Sequence, residues 1–311
     1  MKVFLTGASG LVGAAFAQAA ERRGHHVIGA THRYADPVAG LRTRLTLDLS
    51  DPAAVTAPVL DAFPDAIVNC AALSAPDECD RHPALAQALN VDLPAQLARL
   101  AHHLSARLVH ISSEQVFPGT SPGAYAAGDP PEPINLYGRQ KLASEQAVAA
   151  AAAEFAVTVR APLLLGNSPG GGRSLHERLF ADWAAGRTPR LFTDEFRQPC
   201  TADNVADVML EICERNDTRG LFHWAGTELL SRHEMGARIR DHFKLTAKQA
   251  PLQEVRRADN ADALRSRQEC LALDCSPLTG RLKTRPQSFA AQLEELHVPA
   301  PVRAWYHGLG A

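Results

Sequence analysis

Near its start the chain runs through a short apolar segment, Lys2 to Thr6 (KVFLT), and turns at once through Gly7-Ala8-Ser9-Gly10-Leu11-Val12-Gly13. Few architectures tolerate that order of residues. Gly7 permits a tight turn, Gly10 lets backbone N–H groups approach an anion, and Gly13 lets a helix pack closely on the strand it came from. The spacing predicts a strand over 2–6 and a helix to about Arg23, closed by Gly24. A plain glycine-rich turn is the bland alternative, and the rest of the chain argues against it.

Short β-rich runs then alternate with helical segments. Strands are predicted at His26 to Thr31, Leu45 to Leu49, Ala66 to Asn69, Arg107 to Ser112, Val157 to Arg160 and Gly220 to Trp224. Between them, Pro83 to about His103 reads as an Ala/Leu helix interrupted near Asn90 to Pro94, because proline lacks a donor. Asn135 is expected to cap a helix running to about Glu154. Helices over about Leu175 to Gly186 and Asn204 to Arg215 follow. This alternation predicts an α/β fold: a Rossmann-type doubly wound parallel sheet, with ligand at the carboxyl ends of its strands and a smaller C-terminal α/β substrate domain. Residues 1–165 plus about 200–226 form the dinucleotide-binding domain in this reading, and 166–199 with 227–311 the substrate domain.

The stretch Ile111 to Lys141 carries the chemistry. Tyr137 and Lys141 lie four apart on a predicted helix, so an ammonium can sit beside a phenol and favour its ionisation from the usual pKa of about 10. Ser113, at a strand end, stands 24 positions before the tyrosine (137 minus 113) and can hold a carbonyl oxygen for it. A tyrosine and a lysine at this spacing also occur by chance, packed and solvated, which makes the glycine turn the deciding companion. The second strand ends Thr31-His32-Arg33, with no carboxylate to repel a 2′-phosphate and an arginine able to pair with one. That favours NADP over NAD, unless Arg33 is simply solvated.

Composition narrows the partners. With 32 basic and 34 acidic residues there is no electrostatic case for nucleic acid or a membrane surface. Six cysteines without a C-x-x-C pair support neither zinc nor a disulfide framework, and His25, His26 and His32 read as solvated surface, so no metal is expected. The apolar run near residue 2 is too short for a signal peptide, and a cytoplasmic protein is expected.

Together, G-x-x-G-x-x-G after the first strand, Ser113, Y-G-R-Q-K over 137–141 and Arg160-Ala-Pro-Leu-Leu-Leu-Gly166 resemble the extended short-chain dehydrogenase/reductase family, most nearly its dTDP-4-dehydrorhamnose reductase branch. The resemblance is strong to about residue 166 and looser beyond. It implies that Asp48 and Leu49 border the adenine, that Cys70, Ala71 and Ala72 leave room for ribose and phosphates, and that Asn90 orders the active-site backbone. It further implies that Ser112, Pro162 and Leu163 border the nicotinamide. On the substrate side it implies Ser74, Gln115 and Asn167, with Arg173, Arg197 and Arg267 for a diphosphate. The glycine-rich loop Asn167 to Arg173 reads as a lid or an ordinary connector, and Phe117 to Pro133 as a surface loop over the site.

The implied activity is hydride transfer from NADPH to a carbonyl on a nucleotide-activated sugar, with Tyr137 as proton donor, Ser113 on the carbonyl oxygen and Lys141 holding tyrosine and ribose. Two departures keep other readings open. Where the reductases read S-T-D-Y-V-F this chain reads Ser112-Ser113-Glu114-Gln115-Val116-Phe117, and R-P-x-x-x-x-L-D becomes Arg267-Gln-Glu-Cys-Leu-Ala-Leu273-Asp274. An epimerase or dehydratase of the same family is one alternative. A non-catalytic NADP-binding protein, like the regulatory subunit of methionine adenosyltransferase, is the other. Homodimers through helices flanking the sheet are frequent in the family, and the oligomeric state stays open.

Overall fold

In the computed structural model, residues 1–309 are described. Seven parallel strands make the central sheet: β1 (Lys2–Thr6), β2 (His26–Thr31), β3 (Thr43–Thr46), β4 (Ala66–Asn69), β5 (Arg107–Ser113), β6 (Ala156–Ala161) and a last strand, Gly220–His223. Their spatial order is the last strand, β6, β5, β4, β1, β2, β3. Strand order therefore reverses between β1 and β4, and the chain leaves a crevice at their carboxyl ends.

The strands read as apolar runs because both faces are covered. Every residue of β4, β5 and β6 is buried. One face packs on α1 (Leu11–Arg22) and the helix Ala202–Cys213, through Phe16, Ala17, Val205 and Met209. The buried alanines of α1 bring its backbone close to the sheet. The opposite face packs on the helices Leu93–Leu104 and Leu136–Ala152, through Leu97, Leu100 and Val148. Removing a side chain the size of fully buried Phe4 or Phe16 from water contributes about 2–3 kcal/mol.

Two elements differ from the sequence expectation. The third strand covers 43–46 rather than 45–49, because the Asp48 carboxylate accepts from the backbone N–H (3.0 Å) and hydroxyl (2.6 Å) of Ser50 and bends the chain into a turn. The interruption expected near Asn90 to Pro94 is present, but as a widened turn rather than a break. A π-helical turn, Ala88–Asp92, sits just before Pro94 and carries the chain from Pro83–Gln87 into Leu93–Leu104, with the wider ladder absorbing the missing donor.

Beyond residue 165 the chain builds a second core of Phe180, Trp183, Ile239, Phe243 and Phe289, against which Trp305 and Tyr306 pack. A small sheet joins Leu230–Ser231, Phe196–Arg197 and Cys270–Leu271, and Arg190–Phe192 pairs with Gln253–Val255. Leu278 and Leu282 return to the central core beside Phe222. Among the described residues no helix is long and apolar enough to cross a membrane.

Both loops named from the sequence are anchored. The Tyr125 hydroxyl accepts from the backbone N–H groups of Gly119, Thr120 and Ser121 at 3.1, 2.9 and 3.0 Å, and its ring stacks on Phe117 with centroids 4.2 Å apart. In the glycine-rich loop the buried Glu177 carboxylate accepts from Ser168 N and Oγ, Arg173 N and Ser174 N. That carboxylate staples the loop to the helix Leu175–Ala184, an arrangement that favours the connector reading over the lid.

Candidate active site

The dinucleotide end forms where α1 leaves the turn. Gly10 is its N-cap with no side-chain bond, so the first-turn N–H groups stay available to an anion. A Cβ on Gly13 would lie 2.2 Å from the Gly7 carbonyl oxygen, and one on Gly7 (φ +69°) would lie 2.7 Å from the Ala71 nitrogen. Helix, turn and the segment after β4 thus approach as only glycine allows. Ser9, Leu11 and Val12 complete the turn, and the last two line the cavity beyond it. At the tip of β2 the Thr31 hydroxyl is buried without a hydrogen-bond partner, the orphaned donor a ribose hydroxyl or phosphate could satisfy. His32 Nε2 lies 4.0 Å from Asp48 Oδ2, and exposed Arg33 stands beside them. The N–H cradle and the orphaned hydroxyl fit a nicotinamide dinucleotide. Leu49 is instead part of the apolar core, and Ala71 is buried behind the cavity wall.

A cavity of about 670 Å³ runs from Gly10 past Cys70 and Ala72 to Ser113, Tyr137 and Lys141, with Ser112, Pro162 and Leu163 along one side. Ser113 ends β5, and its hydroxyl accepts from the Gln115 N–H at 3.2 Å. Tyr137 and Lys141 enter from the first turns of the helix Leu136–Ala152, which Asn135 caps by accepting from the Gly138 N–H at 2.8 Å. The Lys141 ammonium donates to the Ile111 carbonyl at 2.9 Å and lies 6.0 Å from the Tyr137 ring centroid.

The expected acidification of the tyrosine is corrected by this geometry. Burial pushes the Tyr137 phenol up, partly offset by hydrogen bonding with Ser113. Burial also pushes the Lys141 ammonium down, to about 8, with the Glu145 carboxylate partly restoring it. Desolvation dominates because both groups are buried at the cavity wall and the ammonium is directed at the Ile111 carbonyl.

Asn90 stands behind the wall. Its side chain accepts from Leu73 N at 2.9 Å and donates to Leu73 O at 3.1 Å and Gln140 Oε1 at 3.0 Å, so it ties the segment after β4 to the helix Leu136–Ala152. Asn167 does not reach the cavity: it donates to Glu295 O at 2.8 Å and accepts from His297 N at 2.9 Å, fixing the C-terminal segment. Ser74 and Gln115 do line it.

The far wall is cationic. Arg173, Arg197 and Arg267 are there as expected, joined by Arg178, one helix turn beyond Arg173, and by Arg232 from a separate segment. Arg197 is fully enclosed, its Nε 3.2 Å from Glu114 and its Nη2 3.3 Å from Glu195. Glu195 also accepts from Arg232 Nε at 2.8 Å and Arg267 Nη1 at 3.4 Å, and these cations hold its carboxyl down at about 2. Arg197 is therefore an internal brace, while Arg173 is exposed and Arg232 and Arg267 are only partly buried. Glu114 is buried, its Oε2 has no partner, and desolvation pushes its carboxyl up to about 7. It is adjacent in sequence to Ser113, the one hint the chain offers of its place.

The model of the RmlD substrate binding domain matches residues 1–299. This chain belongs to that family. It is 34% identical over 284 residues to the methionine adenosyltransferase 2 subunit beta of Bos taurus, covering 88% of this chain and 83% of the relative. It is 33% identical over 245 residues to the probable low-salt glycan biosynthesis reductase Agl14 of Haloferax volcanii, covering 77% and 79%. Among solved structures, a dTDP-4-dehydrorhamnose reductase from Bacillus anthracis in complex with NADP superposes with a TM-score of 0.79 at 21% identity, covering 94% and 96%. The RmlD family membership and the seven-stranded sheet bear out the extended short-chain dehydrogenase/reductase resemblance read from the sequence.

Proposed function

We propose that this chain is an NADP-dependent reductase of a carbonyl on a nucleotide-activated sugar. The observation that carries the reading is a single cavity with Ser113, Tyr137 and Lys141 at its centre, a backbone N–H cradle at one end and a cationic wall at the other. The proposed division of labour gives residues 1–165 and about 200–226 to the cofactor, and 166–199 with 227–311 to the substrate.

When bound, the reduced nicotinamide supplies a hydride. Tyr137 keeps its proton at neutral pH because burial raises its pKa, and so is a general acid ready to protonate the carbonyl oxygen. Ser113 is placed to hold that oxygen, its own hydroxyl oriented by the Gln115 N–H. Lys141, poised near pH 8, is suited to stabilise the phenolate left behind and to pass it a new proton. Arg173, Arg178, Arg232 and Arg267 supply the charge a diphosphate needs, with Glu195 holding two of them in place.

A second reading is supported by the likeness to methionine adenosyltransferase beta subunits: an NADP-binding protein that acts through a partner. One titration separates the two. Purified protein is titrated with NADPH and NADH, then given a dTDP-4-keto-6-deoxy sugar while nicotinamide absorbance is followed. Tight NADPH binding with loss of absorbance supports the reductase. Tight binding with no loss on any keto sugar supports the second reading once the recovered sugar shows no epimerisation or dehydration.

A further inference from the structure

Behind the cavity floor lies a buried row of polar side chains that the mechanism above does not use. Thr6 ends β1, Asn69 ends β4, His110 is in β5, and Ser144 lies on the catalytic helix one turn after Lys141. Thr6, Asn69, His110 and Ser144 are at most 1% exposed. The contacts are Thr6 Oγ1 to Asn69 Oδ1 at 2.6 Å, Asn69 Nδ2 to His110 Nδ1 at 3.1 Å, His110 Nε2 to Ser144 Oγ at 3.0 Å, and Ser144 Oγ to Lys141 O at 2.7 Å.

Hydrogen-bond polarity is forced from both ends. The Ala71 backbone N–H points at Asn69 Oδ1 at 3.2 Å, and a backbone donor cannot be turned round. A flipped Asn69 would set its NH₂ against that donor, so Nδ2 must donate to His110. His110 Nδ1 is then an acceptor and carries no proton. The neutral ring therefore holds its hydrogen on Nε2 and donates to Ser144, whose hydroxyl donates in turn to the Lys141 carbonyl. An imidazolium would oppose an N–H to the Asn69 NH₂, a clash that adds to the burial and the nearby Lys141 charge already holding His110 neutral.

We infer that His110 is a positioning residue, the middle link of a one-way chain from the dinucleotide turn to the catalytic helix. Its first end is the Ala71 amide, the atom against which Gly7 is packed. The other end is the carbonyl of Lys141, whose ammonium is held by Ile111, the residue after His110. The strand thus grips the helix at Lys141 and Ser144 from two consecutive residues. That the chain serves catalysis rests on the reductase reading; its polarity and its link to the cofactor turn do not.

The test begins with wild-type protein. Histidine ¹⁵N spectra from pH 5 to pH 9 should give His110 as an invariant Nε2–H tautomer, whereas an Nδ1–H tautomer or a titration in that range overturns the proposal whatever the enzyme does. Thr6→Val and Ser144→Ala are then combined and NADPH affinity measured. The residues share no hydrogen-bond partner, so independent sites would give additive effects, and additivity overturns the link. Loss of one such bond should weaken binding by about fivefold, with the second substitution adding little. Ser144→Thr, which keeps the hydroxyl, should restore wild-type affinity. Should the protein reduce keto sugars, Ser144→Ala should also move the alkaline limb of its pH profile, which a merely destabilised fold would leave in place.

Discussion

The ammonium of Lys141 and the ring of Tyr137 lie one helical turn apart in one cavity, 6.0 Å from nitrogen to ring centroid. Each is pushed by burial toward its neutral form: the phenol upward, the ammonium down to about 8. As pH rises through about 8, Lys141 loses its charge and with it the stabilisation of a developing phenolate. Reduction should therefore fall along an alkaline limb near pH 8, and Lys141→Arg should move that limb upward. A pH–rate profile that stays flat past pH 9 in the wild type would contradict this assignment.

Removing the phenol hydroxyl isolates proton donation from binding. Tyr137→Phe should lower turnover by about 10²-fold or more, the usual range for a general acid, while NADPH affinity changes by less than about threefold. Stopped-flow hydride transfer and a fluorescence titration on the same preparation measure both.

Arg33 stands exposed beside the His32–Asp48 contact. Arg33→Ala should weaken NADPH by about tenfold, equivalent to roughly 1.4 kcal/mol, and leave NADH unchanged, because only NADPH carries the 2′-phosphate. Equal losses for both cofactors would assign Arg33 to the fold.

Glu114 is buried with one carboxyl oxygen unpaired, and its pKa is raised from 4.5 to about 7. Between those values the folded chain keeps a proton that the unfolded chain has released, so stability conferred by this group falls as pH rises through that window. The stability difference between wild type and Glu114→Gln should therefore shift against the wild type from pH 4.5 to pH 7 and level off above. Urea denaturation at several pH values follows the trend.

Glu195 is the shared acceptor of Arg197, Arg232 and Arg267. Glu195→Gln leaves a sealed guanidinium without its main counter-charge and should cost about 3–5 kcal/mol. Arg267→Ala, at a partly buried site, should cost far less stability and instead raise KM for a nucleotide sugar by about tenfold. Thermal unfolding and steady-state kinetics separate the two effects.

The amino-acid sequence by itself determined the N-terminal half of the fold. Glycine spacing, strand periodicity and the Tyr137–Lys141 step are local rules, set by φ freedom and helical geometry within a few residues, so β1, α1 and the capped helix Leu136–Ala152 fall where those rules put them. Tertiary structure decided what those residues experience. Burial reversed the expected pKa of Tyr137, and a π-turn carried the helix past Pro94. Pairing with Glu114 and Glu195 turned Arg197 from a ligand candidate into a brace, and the loop 295–297 drew Asn167 away from the cavity. Arg232 joined the cationic wall from a distant segment, and two strands and a helix brought together Asn69, His110 and Ser144, 41 and 34 residues apart in successive pairs. Desolvation and long-range pairing depend on which surfaces meet, and no local pattern encodes that.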